Sequence, residues 1–272
     1  MSEDGTIDDA ERPSDADVRD AVRDRYGDIA AESDSCCGDS SCGDGKADPG
    51  SQSRQVGYAQ SDLDRAPEGA NLGLGCGNPT ALASLDAGET VLDLGSGGGF
   101  DCFLAAEAVG SEGEVVGVDM TPEMVERARE NAAESERDNV SFRLGEIEHL
   151  PVADRSVDVV ISNCVVNLSP DKPQVFAEAF RVLRPGGRLA ISDVVRTTSF
   201  PPDVRTDPSS VSACVAGAST IAEVESMLAD AGFRDVSVTP ENDSEEFIRE
   251  WDEGDLSEYV VAATVEAEKP PR

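Results

Sequence analysis

Short apolar runs alternate with amphipathic stretches along most of the chain. Seven runs rich in valine, leucine, isoleucine and alanine have the length of β-strands. They cover residues 90–94, 114–118, 140–144, 157–162, 188–192, 235–239 and 258–265. Apolar positions recur at helical spacing in residues 100–109, 121–135, 170–183 and 220–232. Strands and helices in alternation predict parallel βαβ units, and therefore an α/β fold with a doubly wound, mostly parallel seven-stranded sheet.

The N-terminal part of the chain has a different pattern. Apolar residues such as Val22 and Tyr26 recur at near-helical spacing and predict a helix over residues 14–33. The next residues, up to 55, are mainly serine, glycine and aspartate, and we expect them to be mobile because they are too polar to pack alone. We therefore predict an acidic N-terminal helix and flexible cysteine-containing loop over residues 1–57, followed by a catalytic domain over residues 58–272.

The charge of the chain excludes some classes of partner. Its 272 residues include 22 basic and 56 acidic side chains, which give a net charge of −34. Such a charge argues against nucleic acid and anionic lipid as partners. Only three of the basic residues are lysines, and acids occur throughout the chain. This composition suits a cytosol at molar salt, where the Debye length falls to roughly 3 Å and self-repulsion is screened, so we interpret it as halophilic.

The distribution of apolar residues predicts a cytoplasmic protein. The first fifteen residues are polar and acidic, and no apolar run reaches the eighteen residues of a membrane-spanning helix. We therefore expect neither a signal peptide nor a membrane partner.

A glycine-rich loop follows the first predicted strand. Asp93 lies within the run, just before its last residue Leu94, and Gly95, Gly97 and Gly99 lie between the run and the next predicted helix. Glycine allows a backbone with positive φ to approach a ligand at a helix N-terminus. No Lys-Ser or Lys-Thr pair follows, so a P-loop is excluded, whereas a dinucleotide site remains the main rival.

Position by position, the loop resembles the first motif of the class I methyltransferases, an acidic residue followed by G-x-G-x-G. This resemblance implies a Rossmann-like fold and S-adenosylmethionine as the cofactor. Asp119, at the end of the second strand, could accept hydrogen bonds from both ribose hydroxyls, and Glu146 and Ile147 would flank the adenine. The predicted cofactor-binding residues are Asp93, Gly95, Ser96, Gly97, Gly99, Asp119, Met120, Glu146, Ile147 and Asn163.

Seven cysteines in a chain with no predicted export signal do not indicate a structural disulfide framework. Cys164 comes directly after the fourth strand, Cys76 lies in a glycine-flanked loop before the first, and Cys214 follows the fifth. Because ligands bind at the carboxyl edge of a parallel sheet, these positions favour a binding or redox role.

Several strings resemble the arsenite methyltransferases. They are NLGLGCGNP at 71–79, VISNCVVNL at 160–168, CVAGA at 214–218, and a Tyr-Gly helix that leads to the Cys36-Cys37 pair. The resemblance covers roughly residues 22–240. It implies that trivalent arsenic, as arsenite or a methylated species, is held by Cys76, Cys164 and Cys214, with Cys36 or Cys37 as a further ligand. It also implies that protein cysteines form a disulfide as arsenic is re-reduced, and that a thioredoxin-like protein or a small thiol reopens it.

Chemistry is consistent with this resemblance. Trivalent arsenic is soft and prefers thiolates. Methylation of nitrogen or oxygen often needs a base that removes a proton, whereas thiolate-bound arsenic offers a lone pair. The single histidine, His149, lies in a loop, where we interpret it as a surface or structural residue.

Other interpretations of the cysteines stay open. Cys102, beside an apolar phenylalanine, and Cys164 could each be small core residues. Cys42 could be an idle loop thiol. Cys36, Cys37 and Cys42 could begin a zinc site, although no histidine lies near them.

Two rival functions also stay open. One is an ordinary class I methyltransferase of a quinone or small metabolite, which would methylate a quinol without arsenic. The other is a non-catalytic metalloid-binding protein, against which the intact glycine loop argues. Longer arsenite methyltransferases carry a C-terminal extension after the last strand, whereas here an acidic segment over residues 241–258 precedes the final strand, so we expect the range of products to differ.

Overall fold

The computed structural model describes residues 14–34, 48–135, 137–200, 214–241, 244, 248–249 and 256–271. Cys36, Cys37 and Cys42 lie outside these residues, so their predicted roles stay predictions. None of the described helices is both long enough and apolar enough to cross a bilayer.

A seven-stranded sheet forms the centre of the fold, as the apolar runs predict. Its strands are β1 (Thr90–Leu94), β2 (Glu114–Asp119), β3 (Val140–Leu144), β4 (Val157–Asn163), β5 (Leu183–Arg196), β6 (Arg234–Pro240) and β7 (Val260–Glu268). Their order is β3-β2-β1-β4-β5-β7-β6. The first five pair in parallel, and β7 runs antiparallel to both β5 and β6. The strand order reverses between β1 and β4, and ligands bind beyond the strand ends at such a point.

Helices connect and cover the strands. They are α1 (Asp15–Asp34), α2 (Pro49–Gln55), α3 (Gln60–Leu63), α4 (Pro79–Ala83), α5 (Phe100–Val109), α6 (Pro122–Glu134), α7 (Lys172–Val182) and α8 (Ile221–Ala231). Local sequence fixes several of their starts. The Asp171 carboxylate caps α7, and Thr220 and Glu223 form a capping box at α8.

The expectation that residues up to 55 are mobile is wrong for the part from residue 48. Asp48 accepts a hydrogen bond from the Ser51 backbone N–H, and Pro49 stands in the first turn of α2. A cap and an N-terminal proline begin a helix even in a polar segment. Ser53 is buried, so α2 also packs against the rest of the domain.

Both faces of the sheet are covered, which explains the near-continuous apolar runs of its central strands. Along β1, Leu92 and Leu94 join the core shared with α7 and α8, whereas Val91 joins the core shared with α5. Side chains of a strand point alternately to opposite faces, so one short run serves two cores.

A third apolar cluster lies at the carboxyl edge of the sheet. It joins Val22 of α1 to Cys76, Cys164 and Cys214. Helix α1 also packs against α6. The N-terminal helix therefore shares a core with the domain that follows it, and the division between residues 57 and 58 stays a prediction.

Candidate active site

The glycine loop between β1 and α5 needs its glycines for two different reasons. Gly95, Gly97 and Gly99 have φ values of +69°, +49° and +92°, a region that favours glycine. A Cβ on Gly95 would lie 2.4 Å from a methyl carbon of Val165, so close packing also demands glycine there. A Cβ on Gly97 would meet no atom of the described residues within 4 Å. Gly97 therefore borders open space, where a ligand can approach the backbone.

Asp119 closes the loop from the end of β2. Its Oδ2 accepts a hydrogen bond from the Gly97 N–H at 2.9 Å, and its Oδ1 accepts one from the Thr121 N–H at 2.9 Å. Burial raises the pKa of this carboxyl above its usual value, and these backbone donors limit the rise. The carboxylate is thus held beside the loop, where the sequence predicted a ribose contact.

A cavity of about 1130 Å³, its open mouth included, lies above the loop. Eight of the ten predicted cofactor residues line it, namely Asp93, Gly95, Ser96, Gly97, Asp119, Met120, Ile147 and Asn163. Arg19, Val22 and Tyr26 of α1 line it from the other side. The N-terminal helix therefore covers a cavity that the sequence assigned to the domain after it.

The other two predicted cofactor residues are placed differently. Gly99 packs under the loop, where a Cβ would lie 2.7 Å from the ring of Phe142. Glu146 lies 3.8 Å from Arg19 and 3.9 Å from Arg23, between charged groups of α1. Glu148 is the carboxylate of this turn that lines the cavity. The adenine contact of Glu146 stays a prediction, and we did not predict Glu148 because turn geometry decides which side chain points inward.

The lining fits a nucleoside cofactor. A Cβ on Gly97 would meet open space, so this glycine leaves its backbone accessible from the cavity. Asp119 lines the same cavity and offers acceptor oxygens to hydroxyls. These two features are consistent with S-adenosylmethionine.

Replacing Gly97 tests this assignment. Gly97→Val is expected to weaken S-adenosylmethionine binding by about 1.5 to 3 kcal/mol, at least tenfold, because the new side chain would occupy the cavity. Asp119→Ala should have a similar effect through the loss of its acceptor oxygens. Calorimetry in molar KCl measures both. Gly88→Val is the matched control, since Gly88 also has a positive φ, +87°, and open space around its Cβ position. Unchanged affinity in a folded Gly97→Val variant would contradict the assignment.

The three predicted arsenic ligands come together at the carboxyl edge of the sheet. Cys76 and Cys164, 88 residues apart, form a disulfide with a Cα–Cα distance of 5.8 Å. The Cys214 thiol donates a hydrogen bond to the Cys164 carbonyl oxygen at 2.8 Å. A carboxylate oxygen of Asp193 lies within 4.8 Å of both disulfide sulfurs. Cys164 itself lines the cofactor cavity.

Local backbone geometry holds these cysteines in place. Cys164 and Cys214 have φ values of +56° and +68°, which side chains other than glycine rarely adopt. The Cys164 N–H donates to the Ser192 carbonyl oxygen at 2.8 Å, and the Cys76 N–H donates to the Asn163 amide oxygen at 2.9 Å. Unfavourable backbone conformations that tertiary contacts maintain are typical of functional sites.

Glycines on both sides of Cys76 allow its loop to reach the sheet. A Cβ on Gly75 would lie 2.4 Å from the Asn163 amide nitrogen, and a Cβ on Gly77 would lie 2.6 Å from the Ser192 side chain. Larger residues would displace the loop from β4 and β5. The close approach of this loop to β4 and β5 therefore explains the two glycines that flank the cysteine in NLGLGCGNP.

Burial controls the protonation of the third cysteine. It raises the pKa of the Cys214 thiol well above its usual value, and the nearby Asp193 carboxylate adds to the rise. Burial also raises the pKa of Asp193 to about 6, although the backbone N–H groups of Val194 and Asn167 oppose this. Cys214 is therefore held as the protonated thiol in this buried position.

A hydrogen-bonded network beside the cavity was not predicted. The Tyr58 hydroxyl donates to Asp101 Oδ1 at 2.6 Å, and Asn163 Nδ2 donates to Asp101 Oδ2 at 3.2 Å. The same amide group donates to the Tyr58 oxygen at 2.9 Å. An aspartate within the apolar helix α5 was the available indication, because a charged residue on a buried helix face needs partners.

Cys102 is buried, as one interpretation of the sequence expected, but it also makes a polar contact. Its thiol donates to Asp93 Oδ2 at 3.2 Å. Cys102→Ser should therefore cost less than about 1 kcal/mol of unfolding free energy, since a hydroxyl can keep this hydrogen bond. Cys102→Ala should cost about 1 to 3 kcal/mol, because it leaves a buried carboxylate without its donor. Denaturant unfolding in molar KCl compares the two variants, and equal losses would contradict the role of the hydrogen bond.

Comparisons with known proteins agree with this site. Residues 85–232 match a family model described as a methyltransferase domain. An arsenite methyltransferase of Halobacterium salinarum is 56% identical over 264 residues, which cover 94% of this chain and 67% of that protein. The human arsenite methyltransferase is 41% identical over 53% of this chain and 40% of its own length. The chain thus spans two thirds of the Halobacterium protein and less than half of the human one. The halophilic source of the first agrees with the acidic composition.

Solved structures show the same fold. An arsenic(III) S-adenosylmethionine methyltransferase from Chlamydomonas reinhardtii has a TM-score of 0.58 and 31% identity, over 83% of this chain and 74% of that one. A Haemonchus contortus phosphoethanolamine N-methyltransferase, with bound S-adenosylhomocysteine, has a TM-score of 0.61 at 18% identity, over 72% of this chain and 53% of that one. The second likeness concerns the fold alone. The glycine loop suits S-adenosylmethionine, and the Halobacterium relative is 56% identical over 94% of this chain, so the chain belongs to the arsenite methyltransferase family of S-adenosylmethionine-dependent enzymes.

Proposed function

We propose that this protein transfers a methyl group from S-adenosylmethionine to trivalent arsenic bound by cysteine thiolates, as part of arsenic detoxification. One observation carries the proposal. The Cys76 and Cys164 sulfurs, 88 residues apart in the chain, are bonded beside the cavity that Cys164 lines, and Cys214 packs in the same apolar cluster with its thiol on the Cys164 carbonyl oxygen. A fold that needed only a small apolar residue at each position would have no reason to place three cysteines in one cluster.

Arsenic would bind to the reduced form of this cluster. Trivalent inorganic arsenic can exchange its three hydroxyls for three thiolates, and each exchange releases water as the thiol proton joins a hydroxyl. Cys76 and Cys164 are close enough to be disulfide-bonded, and Cys214 contacts Cys164 directly. Cys36 or Cys37 would take the place of one of these thiols during loading.

The position of Cys164 would orient the acceptor. When bound, S-adenosylmethionine supplies a methyl group on a positively charged sulfonium. Cys164 follows the last residue of β4 and lines the same cavity as the glycine loop, so arsenic on its sulfur would face the cofactor. The arsenic lone pair accepts the methyl group without loss of a proton, so in-line positioning replaces general base catalysis. Arg19, Val22 and Tyr26 cover the cavity and would exclude water from it.

The cysteines would also return electrons to arsenic. Attack through the lone pair oxidises arsenic from the trivalent to the pentavalent state. If two arsenic–sulfur bonds then break as one sulfur–sulfur bond forms, arsenic regains two electrons and the protein keeps a disulfide. The Cys76–Cys164 disulfide has the form expected of that product. A thioredoxin-like protein or a small thiol would reopen it by exchange.

An assay with arsenite, S-adenosylmethionine and a thiol in molar KCl tests the proposal. Chromatography with mass spectrometry should detect methylated arsenic, and omission of the thiol should limit the reaction to about one turnover. Methylation of a quinol without arsenic would instead favour a small-metabolite methyltransferase. Arsenite binding without any cofactor turnover would identify a metalloid-binding protein.

A further inference from the structure

Two buried carboxylates on the cavity wall lack a positive partner. Asp93 is 3% exposed and Asp101 is 8% exposed, and both line the cavity. Their hydrogen-bond donors are neutral, namely the Cys102 thiol for Asp93, and the Tyr58 hydroxyl and Asn163 amide for Asp101. In the part of the chain that the structure describes, no arginine or lysine forms a salt bridge with either. Burying a carboxylate without a counter-charge is costly, and burial accordingly raises the pKa of Asp93 well above its usual value. A cation bound at this wall would offset the cost for the carboxylate that it contacts.

We propose that Asp101, oriented by Tyr58 and Asn163, binds the positively charged methionine end of the cofactor and so positions its methyl group. The proposal rests on the proposed function for the identity of the cofactor and does not depend on arsenic as the acceptor. It assigns the binding role to Asp101 and a positioning role to Tyr58 and Asn163.

Asp101 suits this role better than the other acidic residues of the cavity. Glu148 already pairs with Arg19 at 3.5 Å. Asp119 is held at the loop by two backbone N–H groups, on the side predicted for the ribose. The Asp93 oxygen Oδ2 already accepts from Cys102. Asp101 is bonded to Asn163, the residue directly before Cys164, where the acceptor would sit. The methionine end must lie near the acceptor, and Asp101 is the carboxylate on that side.

A second observation indicates a ligand at the same wall. Gly97 lines the cavity together with Asp101, and a Cβ there would meet no atom of the described residues within 4 Å. Burial raises the pKa of Asp101 to about 6, and the bonds from Tyr58 and Asn163 limit this rise, so the carboxylate is mainly ionised at neutral pH. A cation that binds there meets a preformed negative charge that molar salt screens little.

Three ligands that differ in charge can show which positive group of the cofactor binds to Asp101. S-adenosylmethionine carries a sulfonium and an α-ammonium, S-adenosylhomocysteine carries the ammonium alone, and methylthioadenosine carries neither. By calorimetry in molar KCl, Asp101→Asn should bind S-adenosylmethionine at least tenfold more weakly than the wild type does. Its affinity for methylthioadenosine should stay within about twofold, because the adenosine contacts are unchanged.

The outcome with S-adenosylhomocysteine identifies the cation. An equal loss for both methionine-containing ligands assigns the α-ammonium, and a loss for S-adenosylmethionine alone assigns the sulfonium. Unchanged affinity for S-adenosylmethionine would overturn the proposal, as would an equal loss for all three ligands, which would indicate a damaged pocket. Tyr58→Phe keeps the charge and removes one donor, so we expect a smaller loss in the same ligand pattern.

Glu107→Gln provides the matched control. Glu107 lies on the same helix, pairs with Arg65 and Arg137 at the surface, and is remote from the cavity lining, so its loss should leave all three affinities unchanged. Circular dichroism in molar KCl verifies that each variant is folded. Because no arsenic is present, these results stand even if arsenite is not the acceptor. A wild-type protein that binds none of the ligands would instead contradict the proposed function.

Discussion

Cys164→Ser and Cys214→Ser are each expected to abolish methylation of both arsenite and monomethylated trivalent arsenic. A serine hydroxyl is a hard donor that stays protonated at neutral pH, so it cannot replace a thiolate on arsenic. Monomethylated arsenic has two exchangeable positions, and we expect these two cysteines to fill them. Both follow strands on the cofactor side, and the Cys214 thiol contacts the backbone of Cys164 at 2.8 Å.

Loss of the other cysteines should affect the two substrates differently. Inorganic arsenite has three exchangeable positions, so Cys76→Ser, and the double change of Cys36 and Cys37 to serine, should abolish its use. Each of these variants should still add one methyl group to the monomethylated species. Cys42→Ser is the control, since the sequence assigns that thiol no role.

Chromatography with mass spectrometry of the arsenic products measures all of these variants. A Cys164→Ser enzyme that methylated arsenite at the normal rate would overturn the mechanism and leave the family assignment intact. Equal loss of both substrates in Cys76→Ser would show instead that all three cysteines act in every methylation.

Dialysis to millimolar KCl is expected to unfold the protein. At a net charge of −34, acidic side chains far outnumber the available basic partners. The Debye length grows from roughly 3 Å at 1 M to about 30 Å at 0.01 M salt, so repulsion between unpaired acids becomes long-ranged. Ion pairs such as Arg188 with Glu89 and Arg181 with Glu178 neutralise only a few of them.

Circular dichroism should show the loss of most helical signal at low salt and its return when KCl is restored. Sodium chloride at equal ionic strength should restore it equally well, because screening depends on ionic strength. A spectrum unchanged between molar and millimolar KCl would count against the halophilic interpretation.

The amino-acid sequence was sufficient for the elements whose stability is local or repeated. Periodicity alone located β1, β3 and α5 with the bounds that the structure shows, because each has a compact apolar pattern and a clear start and end. The glycine loop was equally clear, since positive φ angles at Gly95, Gly97 and Gly99 leave little choice of residue. The βαβ alternation then predicted the doubly wound, mostly parallel seven-stranded sheet that the structure shows.

Tertiary contacts decided what depends on distant partners. The sequence predicted a strand over residues 188–192, but β5 extends over Leu183–Arg196. Its start pairs with β4 through Leu183 and Val157, and its pairing with β7 continues as far as Arg196. Helix α2 forms in a polar segment that packs on the domain. The hydrophobic pattern of α1 could not show that this helix covers the cofactor cavity, because an apolar helix face can pack against many different surfaces.

The site divides in the same way. Topology could bring Cys76, Cys164 and Cys214 to one edge of the sheet, but the bond between Cys76 and Cys164 needs the close approach allowed by Gly75 and Gly77. The pairing of Tyr58 with Asp101, 43 residues apart, has no trace in either local pattern. Residue spacing encodes the strands and the loop because their hydrogen bonds and dihedral angles are local. Side chains that meet across the fold are determined only when every element is packed, because their positions depend on all the contacts between them.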